Sequence, residues 1–457
     1  MTPSPLAAAA ADTNTKAKVN SNPKPIINAS KLLIIGDIHG HSHKLTALLE
    51  QADFDPSDSD SAARDSQLLF VGDLIDNGLD GEQCDQLALL QQVKALVDGG
   101  FGHCILGNHE LNAIGWLTRR RDGRYGRDRN KPSNLNQHQQ FLSQVGQDSG
   151  EHNAWIEWFK TLPLFIETES LRAIHACWHQ PSIDKLKPYL HADNSLKAEF
   201  WPDAFDPQHP LFQLLETLLK GPEVKLPNGL SFHDKNGTER HHLRVAWWQT
   251  PAQCHSFADI AVPGTALPDS LLSQPIDGFD FGFNLAQLKP VFIGHYYLPV
   301  TPYPQPLSLQ VACIDFSASK ADAPLLGYWF SADQPQLDGA DFCGQAASGI
   351  DIDAGVAQLL ESQLASLPPY QPNRDLAEAV TAVLLQQWDP IGVSDFGGAC
   401  DDEYHAYVED LCRLIQAQDG NGIGSYLLLV ERHLMGVERD EAAECCAEVA
   451  YALLGLA

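Results

Sequence analysis

Ile34-Ile35-Gly36-Asp37-Ile38-His39-Gly40 decides the reading of the chain: an apolar run stops abruptly in two polar residues set between glycines. The pattern returns four times. Leu69-Phe70-Val71 runs into Gly72-Asp73-Leu74-Ile75-Asp76-Asn77-Gly78, and Cys104-Ile105-Leu106 into Gly107-Asn108-His109-Glu110. Ala173-Ile174 ends at His175, and Val291-Phe292-Ile293 ends at Gly294-His295. Short apolar runs closed by glycine read as buried strands. Ligand-type side chains at their ends meet at the carboxyl edge of a sheet, where open α/β folds place their sites.

Outward from the first run, Leu45, Leu48, Leu49 and Ala52 recur at helical spacing, so His43 to Ala52 is expected as a helix. Gln67 to Val71 reads as the second strand, Gln83 to Val97 as a helix, and a third strand ends at Leu106. Alternation of this kind implies right-handed crossovers and a largely parallel sheet. A helix is expected from Leu111 to Trp116, and another from Asn153 to Thr161, before a fourth strand at Leu171 to Ile174. Between His175 and His295 the sequence is proline-rich without clean periodicity, which reads as a cap and loops beside the site. Strand-like runs at Leu309 to Phe316 and Leu325 to Phe330 complete the sheets.

The chain has 457 residues, enough for two domains and tails. Residues 1–30 lack an apolar signal-peptide core and read as a disordered tail, and 346–372 as a Pro-rich linker. Residues 373–457 show helical patterns only, an acidic helical accessory domain whose surface is offered to a protein partner. No apolar run approaches the roughly 18 residues of a membrane span. The net charge of −29 argues against nucleic acid, whose backbone is bound by clustered Lys and Arg. Ten scattered cysteines without a CxxC pair fit a reducing, cytoplasmic setting.

Asp37 and His39 are two apart and leave an extended segment on one face. Such mixed oxygen and nitrogen donors suit a borderline divalent cation, Mn first with Fe, Zn or Mg as alternatives. A carboxylate can hold two cations within about 4 Å of each other, which makes Asp73 the expected bridge. The first metal then takes Asp37, His39 and Asp73; the second takes Asp73, Asn108, His175 and His295. Two such cations would reverse the repulsion a phosphorylated substrate meets from an acidic protein. His109 is spare and is the expected acid for the leaving oxygen, oriented by Asp76. His41, His43, His179 and Cys177 read as capping, surface or core residues.

Together these motifs resemble the calcineurin-like metallophosphoesterase superfamily, in its phosphoprotein-phosphatase-like branch. The resemblance covers about Lys31 to Phe330. It implies a sandwich of two mixed β-sheets flanked by helices over residues 31–345, with the cap at 176–290 inserted. It also implies two-metal hydrolysis of phosphoesters in a protein or small-molecule substrate. Asn77 stands where that branch carries a phosphate-gripping arginine, so Arg244, Arg240, Arg119 and Arg120 are candidates, with Asn77, for holding substrate. The absence of a second histidine after Gly294-His295 favours a phosphatase over a nuclease. Phosphomonoesters are the expected substrates, with dinucleoside polyphosphates as the alternative and a non-catalytic phosphate-binding module as the rival of another class. Trp388-Asp389-Pro390-Ile391-Gly392 is faintly similar to small bacterial helical domains, which suggests a bacterial source.

Overall fold

The computed structural model describes residue 27 and residues 31–57, 65–77, 84–227, 229–233, 239–249, 254–263, 265–272, 274–276, 289–298, 304–308, 310–320, 323–333, 337–344, 364, 367, 373–392, 404–435, 437, 439 and 442–456. The tail expected at 1–30 and the linker expected at 346–372 lie outside them, apart from residues 27, 364 and 367.

Strand β1 (Lys31–Ile35) is apolar on both faces because both are covered. Leu33 and Ile35 face the helices, while Leu32 and Ile34 face a second sheet. β1 pairs in parallel with β2 (Ser66–Phe70), and β2 with β3 (Gly102–Cys104). The second sheet holds β4 (Phe165–Glu167) and β5 (Arg172–Ile174). The cap contributes two hairpin-like pairings, β6 (Glu223–Lys225) with β9 (His242–Arg244) and β7 (Phe232–His233) with β8 (Glu239–Arg240). β10 (Val291–Ile293) and β11 (Val311–Cys313) return to the second sheet, in the order β11-β10-β5-β4. β12 (Gly327–Ser331) and β13 (Phe342–Cys343) close the first, in the order β13-β12-β1-β2-β3. β12 runs antiparallel to β1 and β4 antiparallel to β5, so both sheets are mixed. Phe292, Ala312, Ile166 and Tyr328 meet Leu32, Ile34 and Leu69 between the layers.

Five helices flank the sheets. α1 (Ser42–Gln51) buries Leu45, Leu48 and Leu49, as its spacing requires. α2 (Gln86–Asp98) starts where the Asp85 side chain accepts from the Ala88 amide at 2.9 Å. α3 (Asn108–Leu117) begins three residues earlier than expected. Glu110, in its first turn, accepts from the Gly107 amide at 3.1 Å and draws the whole Asn-His-Glu motif into the helix. α4 (Pro132–Val145) had no counterpart in the sequence reading; it buries His138, Phe141, Leu142 and Val145. α5 (Gly150–Phe159) follows.

The cap is more regular than its sequence suggested. A helix at Pro210–Lys220 buries Leu211, Leu215, Leu218 and Leu219, and a small core of Leu226, Leu243, Val245, Phe257 and Ile260 lies beside β6 and β9. C-terminal to it, helices at Arg374–Val383, His405–Gln416, Gly420–Leu429 and Ala442–Leu454 enclose a separate core around Trp388, Leu411, Ile423, Tyr426 and Leu453. Arg432 of this helical unit pairs with Asp338 beyond β12. Among the described residues no helix is long and apolar enough to cross a membrane.

Candidate metal centre

Parallel strands put their carboxyl ends on one edge, and the five motif segments all leave strands there. Asp37 and His39 follow β1, Asp73, Asp76 and Asn77 follow β2, Asn108 and His109 open α3 beyond β3, and His175 and His295 follow β5 and β10. The turns are tight enough that non-glycine residues take left-handed backbones: His39 (φ 50°), Asp73 (53°), Asp76 (67°), Asn77 (54°) and His295 (72°). Such conformations cost free energy and persist where surrounding contacts fix them. Glu110 supplies several. Its Oε2 accepts from the Asp73 amide at 2.9 Å and its Oε1 from the Leu74 amide at 2.8 Å.

His39, Asp73, Asn108, His175 and His295 converge, joined by His109, which was expected as the acid; Asp37 falls in neither ligand group. His109 Nε2, His39 and Asp73 form one group of ligand atoms within 4.8 Å, and Asp73, His175 and His295 a second. Asn108 Oδ1 lies 2.9 Å from His175 Nε2 and 2.6 Å from His295 Nδ1. Asp37 stands beside both groups, its oxygens accepting from the His295 amide at 3.2 and 3.1 Å. The histidines are oriented by backbone carbonyls: Nδ1 of His39 donates to Ile75 O at 2.8 Å and Nδ1 of His175 to Val71 O at 2.7 Å. Both therefore turn Nε2 inward, the arrangement that carbonyl partners impose on ligating histidines.

The donor set fits a cation pair. With Nδ1 turned to Val71 O, His175 Nε2 faces the Asn108 and Asp73 oxygens, 2.9 and 3.3 Å away; burial disfavours charge on the ring, but Asp73 outweighs it and raises its pKa. Those contacts are favourable where positive charge sits among them, as a ring proton or as a bound cation. The carboxylates say the same. Burial, then the neighbouring Asp315 and Asp73 charges, pushes the Asp37 carboxyl well above its usual range. Burial also raises Asp73, yet His175 and His109 outweigh it and hold that carboxyl below the usual range. Burial and then His109 lower His39 to about 4, while burial and the charge of Arg244 push His295 well below its ordinary value.

A second network adjoins this one. His109 Nδ1 donates to Asp76 Oδ2 at 2.9 Å, and His138 Nδ1 donates to Asp76 Oδ1 at 2.7 Å. Burial disfavours charge on His109, but Asp73 and Asp76 overcome it and raise its pKa to about 9. The Asn77 amide nitrogen lies 3.3 Å from His109 Nε2, and Gln137 Nε2 lies 3.4 Å from it.

The arginines expected to grip substrate divide. Arg244 is near enough for its charge to depress His295, and its Nε is buried without a partner. Arg119, Arg120 and Arg240 are not brought to the cluster, which corrects the sequence reading. Arg119 donates to Gly123 O and Tyr125 in its own loop, Arg120 pairs with Asp122 and Asp206, and Arg240 is exposed on β8. Glu110, Asp315, Gln137, His138 and Arg127 were missed. Glu110 had a signal as the fourth residue of the Gly107 motif, and Arg127 had one in the basic stretch it shares with Arg119 and Arg120.

A two-sheet sandwich with Asp, Asn and His at five strand ends is the frame that the resemblance of the motifs implies. Residues 30–237 match the family described as calcineurin-like phosphoesterase. A symmetrical bis(5'-nucleosyl)-tetraphosphatase of Edwardsiella ictaluri is 41% identical over 100 residues, 22% of this chain and 28% of that protein. The enzyme of the same name from Salmonella paratyphi C is 29% identical over 143 residues, 31% of this chain and 41% of that protein. The chain thus spans between about a quarter and two fifths of these relatives' length. A cold-active protein tyrosine phosphatase structure shares 16% identity at a TM-score of 0.38, over 69% of this chain and 79% of that one.

Proposed function

We propose that the chain hydrolyses phosphoester bonds with two divalent cations held by Asp37, His39 and Asp73 and by Asp73, Asn108, His175 and His295. One observation supports this: ligand atoms of His39, Asp73 and His109, and of Asp73, His175 and His295, lie within 4.8 Å of one another, with Asn108 Oδ1 beside the two histidines of the second set. When bound, the cations supply the charge that draws in phosphoryl oxygens and lowers the pKa of a water from about 16 toward neutrality. Manganese suits the mixed donor set, and the nine described cysteines, all free thiols, suit a cytoplasmic setting.

The chain's own groups do the rest. His109, held by Asp76 and close to Asp73, keeps Nε2 at the edge of the cluster. As the water oxygen bonds to phosphorus, the bond to the leaving oxygen breaks and keeps its electron pair there. The His109 Nε2 proton passes to that oxygen, the proton lost by water goes to solvent, and solvent reprotonates the ring. Arg244 supplies charge on the His295 side.

Phosphomonoesters remain one substrate class. The names of the relatives support the other, dinucleoside polyphosphates cleaved at a phosphoanhydride. Metal content of the purified chain, with turnover of a phosphopeptide panel, p-nitrophenyl phosphate and diadenosine tetraphosphate in Mn, tests the reading. Activity is expected and is lost in Asp73→Asn; no hydrolysis with any divalent metal would leave a phosphate-binding module.

A further inference from the structure

Arg127 is the odd member of its loop. Arg120 pairs with Asp122 and Asp206, Arg121 with Asp203, Arg124 with Asp122, and Arg129 with Asp148. Arg119 is exposed and stacks its guanidinium on Tyr125, 4.2 Å from the ring centre. Arg127 turns inward instead. Its amide is fixed to Gly115 O on α3 at 2.9 Å, its guanidinium donates to Gln137 Oε1, and its Nε is buried without a partner. Among the described ion pairs it has none. Burial disfavours its charge, and the carboxylates of Asp76 and Glu216, neither within ion-pair distance, offset this only in part, so the cation can take a further anion.

The place of that anion is marked. Because Gln137 gives its oxygen to Arg127, it turns its NH2 toward His109 Nε2, 3.4 Å away, and the Asn77 NH2 comes to 3.3 Å of the same atom. Two amide donors, with a guanidinium behind one, thus surround the nitrogen that would face the leaving oxygen. The Asp73 Oδ2 carboxylate oxygen is 3.8 Å from Nε2. His39 Nε2 is also 3.4 Å from the Asn77 amide nitrogen, yet donors outnumber acceptors here, and nitrogen donors gathered in this way favour an anionic oxygen.

We infer that Arg127, Gln137 and Asn77 form a subsite for a phosphate carried by the leaving group, so the chain selects phosphoanhydrides over phosphomonoesters of alcohols. The inference rests on the hydrolase reading above and names the substrate class of the same site. A serine leaving group offers this subsite a neutral hydroxyl; a nucleotide leaving group offers it anionic oxygens. In the cleavage, the water oxygen bonds to the attacked phosphorus and the anhydride P–O bond breaks. Its electron pair goes to the bridging oxygen, which departs as part of a terminal phosphate held by Arg127.

The test uses the full chain with Mn as wild type, Arg127→Ala and Arg127→Lys. It reads kcat/KM on diadenosine tetraphosphate and on p-nitrophenyl phosphate, and calorimetric binding of the uncleavable methylene-bridged analogue of diadenosine tetraphosphate. Arg127→Ala is expected to lose at least about tenfold more on the anhydride than on the aryl phosphate, and to weaken the analogue about tenfold, since bonds to charged groups carry that much. Arg127→Lys should recover part of both, which a fault in folding would not allow. Equal losses on the two substrates with analogue binding unchanged overturn the subsite. If the wild type hydrolyses neither substrate, the hydrolase reading fails alone, and the analogue still decides: weaker binding in Arg127→Ala upholds the subsite, equal binding removes it.

Discussion

Asp76 has both carboxylate oxygens committed, one to His109 and one to His138, and each bond has a different consequence. The His109 bond favours the charged ring, which is what an acid for the leaving group requires. With a pKa raised to about 9, the acid form of His109 is present through neutrality and is lost as pH climbs through that value. We expect kcat to fall above about pH 9, and Asp76→Asn to move that alkaline limb downward; an unmoved limb in the pH-rate profile would separate His109 from it. His109→Ala should slow poor leaving groups more than activated aryl phosphates, and equal losses would argue against proton donation. Arg244→Ala should raise KM and lower kcat by about tenfold, as loss of a charge-assisted contact does. His109 and Asp76 were legible because each stands in a glycine-bounded motif. His138 and Gln137 were not, because α4 carries no motif and meets Asp76 and His109 only once it has packed. Arg127 sat in the basic stretch of Arg119 and Arg120, but its inward turn depends on a backbone bond to Gly115 and a side-chain bond to Gln137.

Strand ends explain why the site could be read from so few residues. Each apolar run is buried on both faces, so its polar end residues have one place to go, the carboxyl edge. Strand direction was less legible: an apolar run does not say whether it pairs parallel, so β12 came out antiparallel to β1 where alternation suggested a parallel sheet. Nor did periodicity show where α3 begins, since Glu110 acts through a side chain on the Gly107 amide. The glycines at these ends are tight for a reason. A Cβ on Gly294 would lie 2.1 Å from Asp37 Oδ1, and the Gly294 amide is fixed to His175 O at 2.8 Å, so the carboxylate must give way. Overpacking of this kind costs about 1–3 kcal/mol. Gly294→Ala should therefore weaken Mn binding by about tenfold or more in a metal titration; unchanged affinity would show that Asp37 is not held where a cation needs it.

Among the described residues, the sandwich and the helical unit have separate hydrophobic cores with different dependencies. The sandwich core surrounds the strand ends, while the helical unit has its own core, in which Glu431, fully buried, accepts from Arg439 and from Trp388 Nε1 at 3.0 Å. The shift to helical periodicity made that unit legible; its Arg432–Asp338 link to the sandwich was not, because the partners are distant in sequence. Cations that bind only the folded sandwich stabilise it by mass action, about 2.7 kcal/mol at a hundred times Kd. Removing one partner of a buried ion pair costs about 3 kcal/mol and leaves the Trp388 N–H without its acceptor. Calorimetric unfolding of the full chain should then show two transitions. Mn should raise, and EDTA lower, the transition of the sandwich, while Glu431→Ala should lower the other and leave the Mn-dependent shift in place. A single transition moved by both changes would mean that the Arg432–Asp338 contact couples the cores into one cooperative unit, and that the helical unit answers to the metals bound at the strand ends.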